Sequence, residues 1–469
     1  MSVRGLWRSA SGLATPAALS MGALLLVALA VRLALFPQVA YMAPNPLPFS
    51  DAAVWEVWSR EIWEHGLDDV SRIEPKTYLG YHYVFWAVGL VYSRISPEFE
   101  LETDTLFYLL KVPPVLFDLA LVPLIFVATR RCVRLLPEGL AAARRVRLVQ
   151  ALERRGLAPE DTLGIAAAAA VVLAPGVVYD SAVWAQSESA ISFFMLAAVL
   201  ALVSGRPGAA WALWAVAFVI KPQPVVIVPA LAAFTFWQFG RAGVMRATAG
   251  ALASGFGMLG YFIATGNGAY IIDVYRELFQ TYDAHLSINA WNLWWPAQQL
   301  ADARASDQLV ALGPLSLSIE AASFVLLVVA TLAILAFLNS RRDLTGLLVA
   351  CAMLEFAFYV LPISTHERYL YPFFVFLAPV LFLQPRWLLL YAPLSLTFFV
   401  NIFFASPTDP DWSKAPLNSA LGHAASALHT VFFASALGVL ITRTVQTPRL
   451  GVAVPLPGQH RIDGPRTPG

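Results

Sequence analysis

The sequence predicts an all-α, polytopic membrane protein of about twelve transmembrane helices, with a long first outer loop that carries amphipathic surface helices. Three observations support that expectation. Of 469 residues, 58% are hydrophobic and only 13% are charged, whereas soluble chains carry about a quarter charged residues. Apolar runs of roughly 17 to 25 residues recur along the length, each able to cross a hydrocarbon core of about 30 Å. The runs are continuous rather than alternating, and in lipid such runs are helices, whose backbone groups are satisfied within the segment.

Taken in order, the N-terminal MSVRGLWRSA and the apolar run to Phe36 have the outline of a secretory leader. The run is long and many other spans follow it, so it reads as a retained first helix near 14–36. Further spans fall near 106–129, 162–178, 189–205, 208–220, 222–238, 248–264, 318–338, 344–362, 369–383, 387–404 and 426–442. With that count, one side collects Arg4 and Arg8, the Arg-rich connection 130–161, Arg206, Arg241, Arg246, Arg341, Arg342, Arg386, Arg443 and Arg449. By the positive-inside rule that side is the cytoplasm, and both termini lie there. The expected location is the plasma (cytoplasmic) membrane.

The outer connections differ in kind. The first, 37–105, holds many acids, including Asp51, Glu56, Glu61 and Glu64. In it VWEVWSREIW places Val54, Trp55, Trp58 and Ile62 at helical spacing, which predicts an amphipathic helix on the membrane surface. YHYVFWAVGLVY reads as a second surface helix or a shallow re-entrant segment. The loop 265–317 carries the amphipathic YIIDVYRELF and then the aromatic SINAWNLWWP. Residues 1–444 read as one transmembrane domain, and 445–469, rich in proline and glycine, as a disordered cytoplasmic tail. The net charge of +1 names no partner. Cys132 and Cys351 form neither a disulfide framework nor a metal-ligand spacing. The arginine clusters lack the interleaved aromatics of a nucleic-acid module.

Polar residues beside apolar spans concentrate on the outer side, and at membrane depth such residues are costly and usually functional. In ISTHERYLYP, Arg368 offers a planar fork matched to phosphate, His366 a hydrogen bond to an anionic oxygen, and Glu367 a means of holding either. The same turn also suits an interfacial loop that meets water and headgroups. In FVIKPQPVVIVP, Pro222 and Pro224 break the apolar run, and amides freed at the returning half favour an anion. Lys221 supplies charge there and Gln223 a neutral donor, while a proline hairpin with a snorkelling lysine is the structural alternative. In YDSAVWAQSES, Gln186 and Glu188 stand at the outer mouth of two spans, with Trp184 as an interfacial anchor. Asp51 follows Ser50 at the start of the surface helix, where it reads either as a helix cap or as a general base on a rigid mount.

Together these residues suit one reaction. Outer-face cations match the phosphate of a lipid-linked donor, and a nearby carboxylate matches activation of an acceptor hydroxyl. Glycosyl transfer from a polyprenyl-phosphate sugar needs both. No glycine-rich nucleotide loop appears on the cytoplasmic side. A transporter or flippase of lipid-linked saccharides is the alternative: it would use the same cations without a base, and the internal repeat common in transporters is missing.

The ordered pieces SDAAVWEVWSREIWEHG, KVPPVLFDLALV, YDSAVWAQSES, FVIKPQP, LSINAWNLWWP and STHERYLYP resemble the bacterial integral-membrane glycosyltransferases of the GT-C fold. More narrowly, they look like the group related to the second mannosyltransferase of GPI-anchor biosynthesis, over about residues 30 to 385. The resemblance implies a catalytic acid at Asp51 and a polyprenyl-phosphate-linked donor, commonly of mannose. It further implies transfer with inversion on the outer face to a hydroxyl of a lipid, glycan or protein. It matches Lys221 and Gln223 to the KPQ piece, His366, Glu367 and Arg368 to the HER piece, and Asn289 and Asn292 to the NAxN piece. On this basis Lys221, Gln223, His366 and Arg368 are expected on the donor phosphate. Glu188, Gln186, Trp184, Asn289, Asn292, Tyr81, His82 and Glu367 are expected around sugar and acceptor. No metal or other cofactor is expected, and membrane lipids are the only further partner. Two departures stand out: Ala185 and Glu188 replace the glycine and aspartate usual after the third span, and YLGYHYVFW replaces a proline-rich tyrosine piece.

Overall fold

The computed structural model describes residues 15–40, 51–73, 76–280, 285–312, 315–408 and 416–446. The expectations placed on Arg4, Arg8, Ser50, Arg449 and the tail beyond Gln446 lie outside the described residues.

The chain opens with α1 (Pro16–Leu35), capped by the Thr15 hydroxyl. The far end of α1 is closed from another segment. The Lys111 ammonium donates to the Phe36 and Gln38 carbonyls at 2.6 Å each, satisfying acceptors that a helix end leaves over. Next come α2 (Asp51–His65), α3 (Leu79–Tyr92) and the long α4 (Asp104–Leu135). The expected α2 forms, but its buried side mixes Trp55 and Ile62 with Glu56 and Ser59, and Trp55 packs at 5.6 Å from Tyr81 and 5.7 Å from Phe85 of α3. Two short helices follow, α5 (Pro137–Ala143) and α6 (Arg147–Glu153).

The expected span 162–178 is two helices, α7 (Pro159–Val172) and α8 (Pro175–Ala182), bent by 55°. Pro175 lacks the amide that would continue α7, and its ring clashes with the preceding turn. Then come α9 (Glu188–Val203) and α10 (Pro207–Ile220), a 3₁₀ turn over Gln223–Ile227, and α11 (Val228–Ala264). The two spans expected at 222–238 and 248–264 fall on the two sides of a kink in α11 at Gly240, whose φ of +58° and ψ of −156° are not helical. α12 (Gly268–Gln280) forms where the amphipathic YIIDVYRELF stands in the sequence. It is tied to the first loop by the Asn267 amide on the Asp68 carbonyl at 2.7 Å and by Lys76 to Glu277 at 3.0 Å.

The remaining elements are β1 (Ser287–Ile288), α13 (Trp295–Ala301), β2 (Gln308–Leu312), β3 (Leu315–Ser318), α14 (Ile319–Ser340), α15 (Leu344–Val360), β4 (Thr365–His366), α16 (Tyr371–Leu381), α17 (Leu388–Ala405) and α18 (Pro416–Gln446). The short strands depart from an all-α expectation. β2 and β3 pair antiparallel, the apolar QLVAL against the alternating LSLS, while β1 and β4 pair in parallel, Ser287 with Thr365 and Ile288 with His366. α18 runs past the boundary expected at residue 444.

Six described helices are long and apolar enough to cross a membrane, and the bent α7–α8 pair makes a seventh. Deep among them lies a buried polar lock. The Arg32 guanidinium of α1 donates to Asp118 Oδ2 of α4 at 2.8 and 2.9 Å, and the Tyr371 hydroxyl of α16 donates to Asp118 Oδ1. Three sequence-distant helices therefore share one carboxylate.

Candidate active site

The site is assembled from helix ends. α9 begins at it, α10 ends at it, α15 ends at it and α16 begins at it, with α2 and α3 laid alongside. Gly80 sets how closely α3 approaches: a Cβ there would lie 2.6 Å from both the Ile220 amide nitrogen and the Val219 oxygen at the end of α10. Only glycine permits that contact, which brings α3 against the residue preceding Lys221.

Asp51 begins α2. Its Oδ2 accepts from Trp184 Nε1 at 3.0 Å and from Gln186 Nε2 at 2.9 Å. Among the described residues no donor contacts Oδ1. Trp184 and Gln186 stand on the turn from α8 to α9, pinned by Trp184 N to Tyr179 O at 3.0 Å and Gln186 N to Asp180 O at 2.9 Å. Between them Ala185 adopts φ +62°, which costs a residue with a Cβ about 1–2 kcal/mol. This is the position where the resemblance expects glycine, so the departure seen in the sequence is carried as backbone strain beside Asp51.

Behind that turn runs a line of alternating charges. The Lys221 ammonium donates to Glu188 Oε1, the same oxygen lies 3.4 Å from Arg368 Nε, and Arg368 Nη1 donates to Glu367 Oε1 at 2.7 Å. Lys221 also lies over the Tyr369 ring at 5.2 Å, and Arg368 over Trp184 at 5.0 Å. Arg368 keeps 16% of its side-chain exposure where Lys221 keeps 3% and Glu188 none, so an incoming anion meets Arg368 first.

The electrostatics of the HER turn follow from burial. Burial and then the charges of Arg368 and Lys221 hold His366 well below the ordinary histidine range. It is therefore a neutral donor at physiological pH, and the three basic groups expected from the sequence supply two cations. Burial pushes the Glu367 carboxyl up, with Arg368 opposing. Burial works against the Arg368 charge too, but Glu367, Glu188 and Asp51 outweigh it and keep the guanidinium firmly protonated.

Tyr81 and His82 sit on α3. Burial, and then the Glu188 and Asp180 carboxylates, keep the Tyr81 phenol protonated; among the described residues its hydroxyl has no hydrogen-bond partner. His82 is buried, with Nδ1 3.1 Å from the Tyr78 carbonyl and its ring edge-on to Phe262. Gln223 turns away from the cations: its amide donates to Glu355 Oε2 at 3.3 Å and the Tyr369 carbonyl at 3.2 Å. Asn292 is also committed. Its Nδ2 donates to Thr365 Oγ1 at 2.7 Å and reaches the Leu286 and Pro362 carbonyls at 3.3 Å, while Oδ1 accepts from Trp294 N at 3.0 Å. It binds the SINAWN segment to the STHER turn rather than facing a ligand. Asn289 is exposed, adopts φ +62°, and bridges to His366 through its backbone.

Three buried acids escaped the sequence reading. Asp180 lies within the field of Glu188, Asp118, Lys221 and Arg368, and neither of its carboxylate oxygens has a partner among the described residues. Glu355 lies under Gln223, and Asp118 holds the interhelical lock. The signal that singled out Lys221, a charge between apolar neighbours, is present at all three in VVYDSAV, AMLEFAF and LFDLAL. Among the described residues, one group has the spacing of a metal site, Glu61, Glu64 and His65 on α2, and Arg60 already approaches both of its carboxylates.

No family model matches the chain, and no curated protein matches it.

Proposed function

We propose that the chain is an inverting glycosyltransferase of GT-C type that moves a sugar, mannose in the first instance, from a polyprenyl-phosphate donor to an acceptor hydroxyl at the outer face of the plasma membrane. The observation that carries this reading is the position of Trp184: its N–H holds Asp51 and its ring face carries Arg368. A base and a phosphate-matched cation therefore flank one rigid side chain.

In the proposed step the acceptor oxygen bonds to the anomeric carbon as the bond from that carbon to the phosphate oxygen breaks. The acceptor proton passes to Asp51, and the bonding electrons leave with the lipid phosphate. Attack from the face opposite the phosphate inverts the configuration. Lys221 and Arg368 hold the developing charge, and neutral His366 donates to a phosphate oxygen. Phosphate oxygens take the places on these cations that Glu188 and Glu367 fill in the free protein; both offer the same anionic geometry to the Arg368 fork. Glu188, once displaced, and Gln186 and Tyr81 are the nearest groups for sugar hydroxyls. The step requires no cofactor.

The proposed twelve crossings are the six long helices, with α11 counted twice across its break at Gly240, the α7–α8 pair and four shorter apolar helices. An even number returns both termini to one side, the cytoplasm in this reading. The apolar helices that fall short of a full crossing are Glu188–Val203, Pro207–Ile220 and Leu344–Val360, together with the eleven-residue α16. These are the helices that begin or end at the site. A span whose outer turn is replaced by polar loop leaves the reacting groups sunk below the membrane surface, within reach of a lipid-borne phosphate.

The test supplies purified protein with labelled polyprenyl-phosphate-mannose, -glucose and -arabinose in turn. The reading expects one label to move to a hydroxyl acceptor, and Asp51→Asn to abolish transfer while donor binding persists. Movement of intact lipid-linked saccharide across the bilayer with no transfer, or full activity in Asp51→Asn, overturns it.

A further inference from the structure

Gln223 and Glu355 take no part in the proposed step, and they face each other. Glu355 lies fully buried on α15, and Gln223 lies buried on the turn that follows Lys221. The Gln223 amide nitrogen donates to Glu355 Oε2 at 3.3 Å and to the Tyr369 carbonyl at 3.2 Å. The remaining oxygen of each side chain, Glu355 Oε1 and Gln223 Oε1, is buried with no hydrogen-bond partner among the described residues. A buried polar atom left in that state is costly and calls for a reason.

As an anion Glu355 would be met by the Gln223 amide alone, since among the described residues no cation acts on it. The titratable group that faces it is the Cys351 thiol, one turn away on the same helix. A carboxylate buried on those terms is unfavourable. One proton removes both defects. A neutral Glu355 donates from Oε1 to Gln223 Oε1 while its Oε2 accepts from the Gln223 amide, the two-bond pairing of a carboxylic acid with a primary amide. The pair in turn governs the spacing of two cations. Gln223 closely follows Lys221 in the chain, and its second bond ends on Tyr369, the neighbour of Arg368. The Tyr369 ring lies 5.2 Å from the Lys221 ammonium and stacks at 5.7 Å on Phe358 of α15. A Gln223 amide free to turn over would present its oxygen to the Tyr369 carbonyl and part the two segments.

We propose, resting on the reading of Lys221 and Arg368 as the donor-phosphate groups, that Glu355 is a positioning residue. As the neutral acid it fixes the orientation of the Gln223 amide, which keeps the Lys221 turn and the HER turn in register for one phosphate.

The test has two readouts on the full-length protein. Infrared difference spectra of wild type against Glu355→Gln should show the carbonyl band of one protonated carboxyl in the wild type alone, shifted in heavy water; this needs no substrate. Binding of labelled polyprenyl-phosphate-mannose, -glucose or -arabinose is measured with Asp51→Asn as the parent, so that nothing turns over. Glu355→Met, which keeps the volume and makes neither bond, is expected to weaken binding about tenfold. Glu355→Gln, whose amide can make both bonds, should recover most of that loss. Should Glu355→Met fail to remain monodisperse, Gln223→Leu takes its place as the variant that breaks the link. Binding by the parent with no infrared band, or with Glu355→Gln no tighter than the variant that breaks the link, overturns this inference alone. A parent that binds none of the three donors overturns the donor-phosphate reading on which it rests.

Discussion

Asp51 and Arg368 are coupled through a single indole: Trp184 Nε1 donates to Asp51 Oδ2 at 3.0 Å, and the Arg368 guanidinium lies 5.0 Å from the centre of the same residue's ring. The two groups are far apart in sequence, yet neither can shift without disturbing the surface that positions the other. The proposed base and the proposed phosphate-binding cation are thereby fixed in relation to each other.

Trp184→Phe retains the ring face and deletes the N–H. Gln186 then holds Asp51 alone, and kcat is expected to fall about tenfold with donor KM within about twofold. Trp184→Leu removes both functions and should raise donor KM as well. Steady-state transfer kinetics on the two variants separate these effects; a Phe variant that changes only KM would contradict the assignment.

Arg368→Lys keeps the charge but loses the fork that meets Glu367 and Glu188. Donor affinity is expected to weaken about tenfold or more, since a lysine cannot reproduce paired contacts to phosphate. Binding of labelled donor to the Asp51→Asn background measures this without turnover. Unchanged affinity there would remove Arg368 from the phosphate site.

Much of this site was legible in the sequence because charge at membrane depth is costly. Lys221, Glu188 and the HER turn stood out against apolar neighbours, and the structure places them in one electrostatic chain. What could not be read was how the groups pair. Gln223 and Asn292 look like ligand-facing amides in the sequence, but each faces partners brought in by distant segments, Glu355 in one case and Thr365 with two carbonyls in the other. Asp118 and Asp180 went unassigned because a sequence does not show which helix supplies the counter-charge. The helices α2 and α12 followed directly from period. The break between α7 and α8 lay in the proline at position 175, and one strand of the β2–β3 pair in the alternation of LSLS, whereas its partner QLVAL is a short apolar run with no alternation to mark it.

Asp118→Asn leaves Arg32 buried without its counter-charge and should destabilise the protein by about 3–5 kcal/mol. The triple variant Arg32→Met/Asp118→Leu/Tyr371→Phe removes the whole polar set and should recover most of that loss. Thermal denaturation in detergent reads both. If the triple variant is no better than the single one, packing rather than charge governs the site.

Glu56 gives the packing of α2 against the segment before α4 a pH dependence. Burial pushes its carboxyl up to about 7, against which the Glu102 amide donates to Oε2 at 2.7 Å. In the folded state the group keeps its proton at pH values where the unfolded chain has lost it. Stability should therefore decline as pH rises from about 4.5 to about 7 and level off above that. Glu56→Gln should flatten the decline, as followed by melting temperature across that range; a slope identical to wild type would exclude Glu56 as its source.

Glu188, a site carboxylate that could serve as a metal ligand, is already bound by Lys221 and Arg368, and Glu367 by Arg368. Transfer is accordingly expected to survive exhaustive treatment with chelator to within about twofold, because the phosphate charge is met by fixed cations. Loss of activity on chelation, restored by one divalent ion, would show that the acids reorganise around a metal during turnover.

The Arg32–Asp118 pair also bears on how the protein is made. α1 leaves the ribosome with a guanidinium in its apolar sequence, and its neutralising partner is not synthesised until 86 residues later. During that interval the first helix is a poor resident of the bilayer, held by the insertion machinery or tilted to let the charge reach water. Translation arrested before residue 118 should yield a nascent chain whose first segment can be extracted by alkali, and extension far enough for Asp118 to leave the ribosome and enter the bilayer should make it resistant.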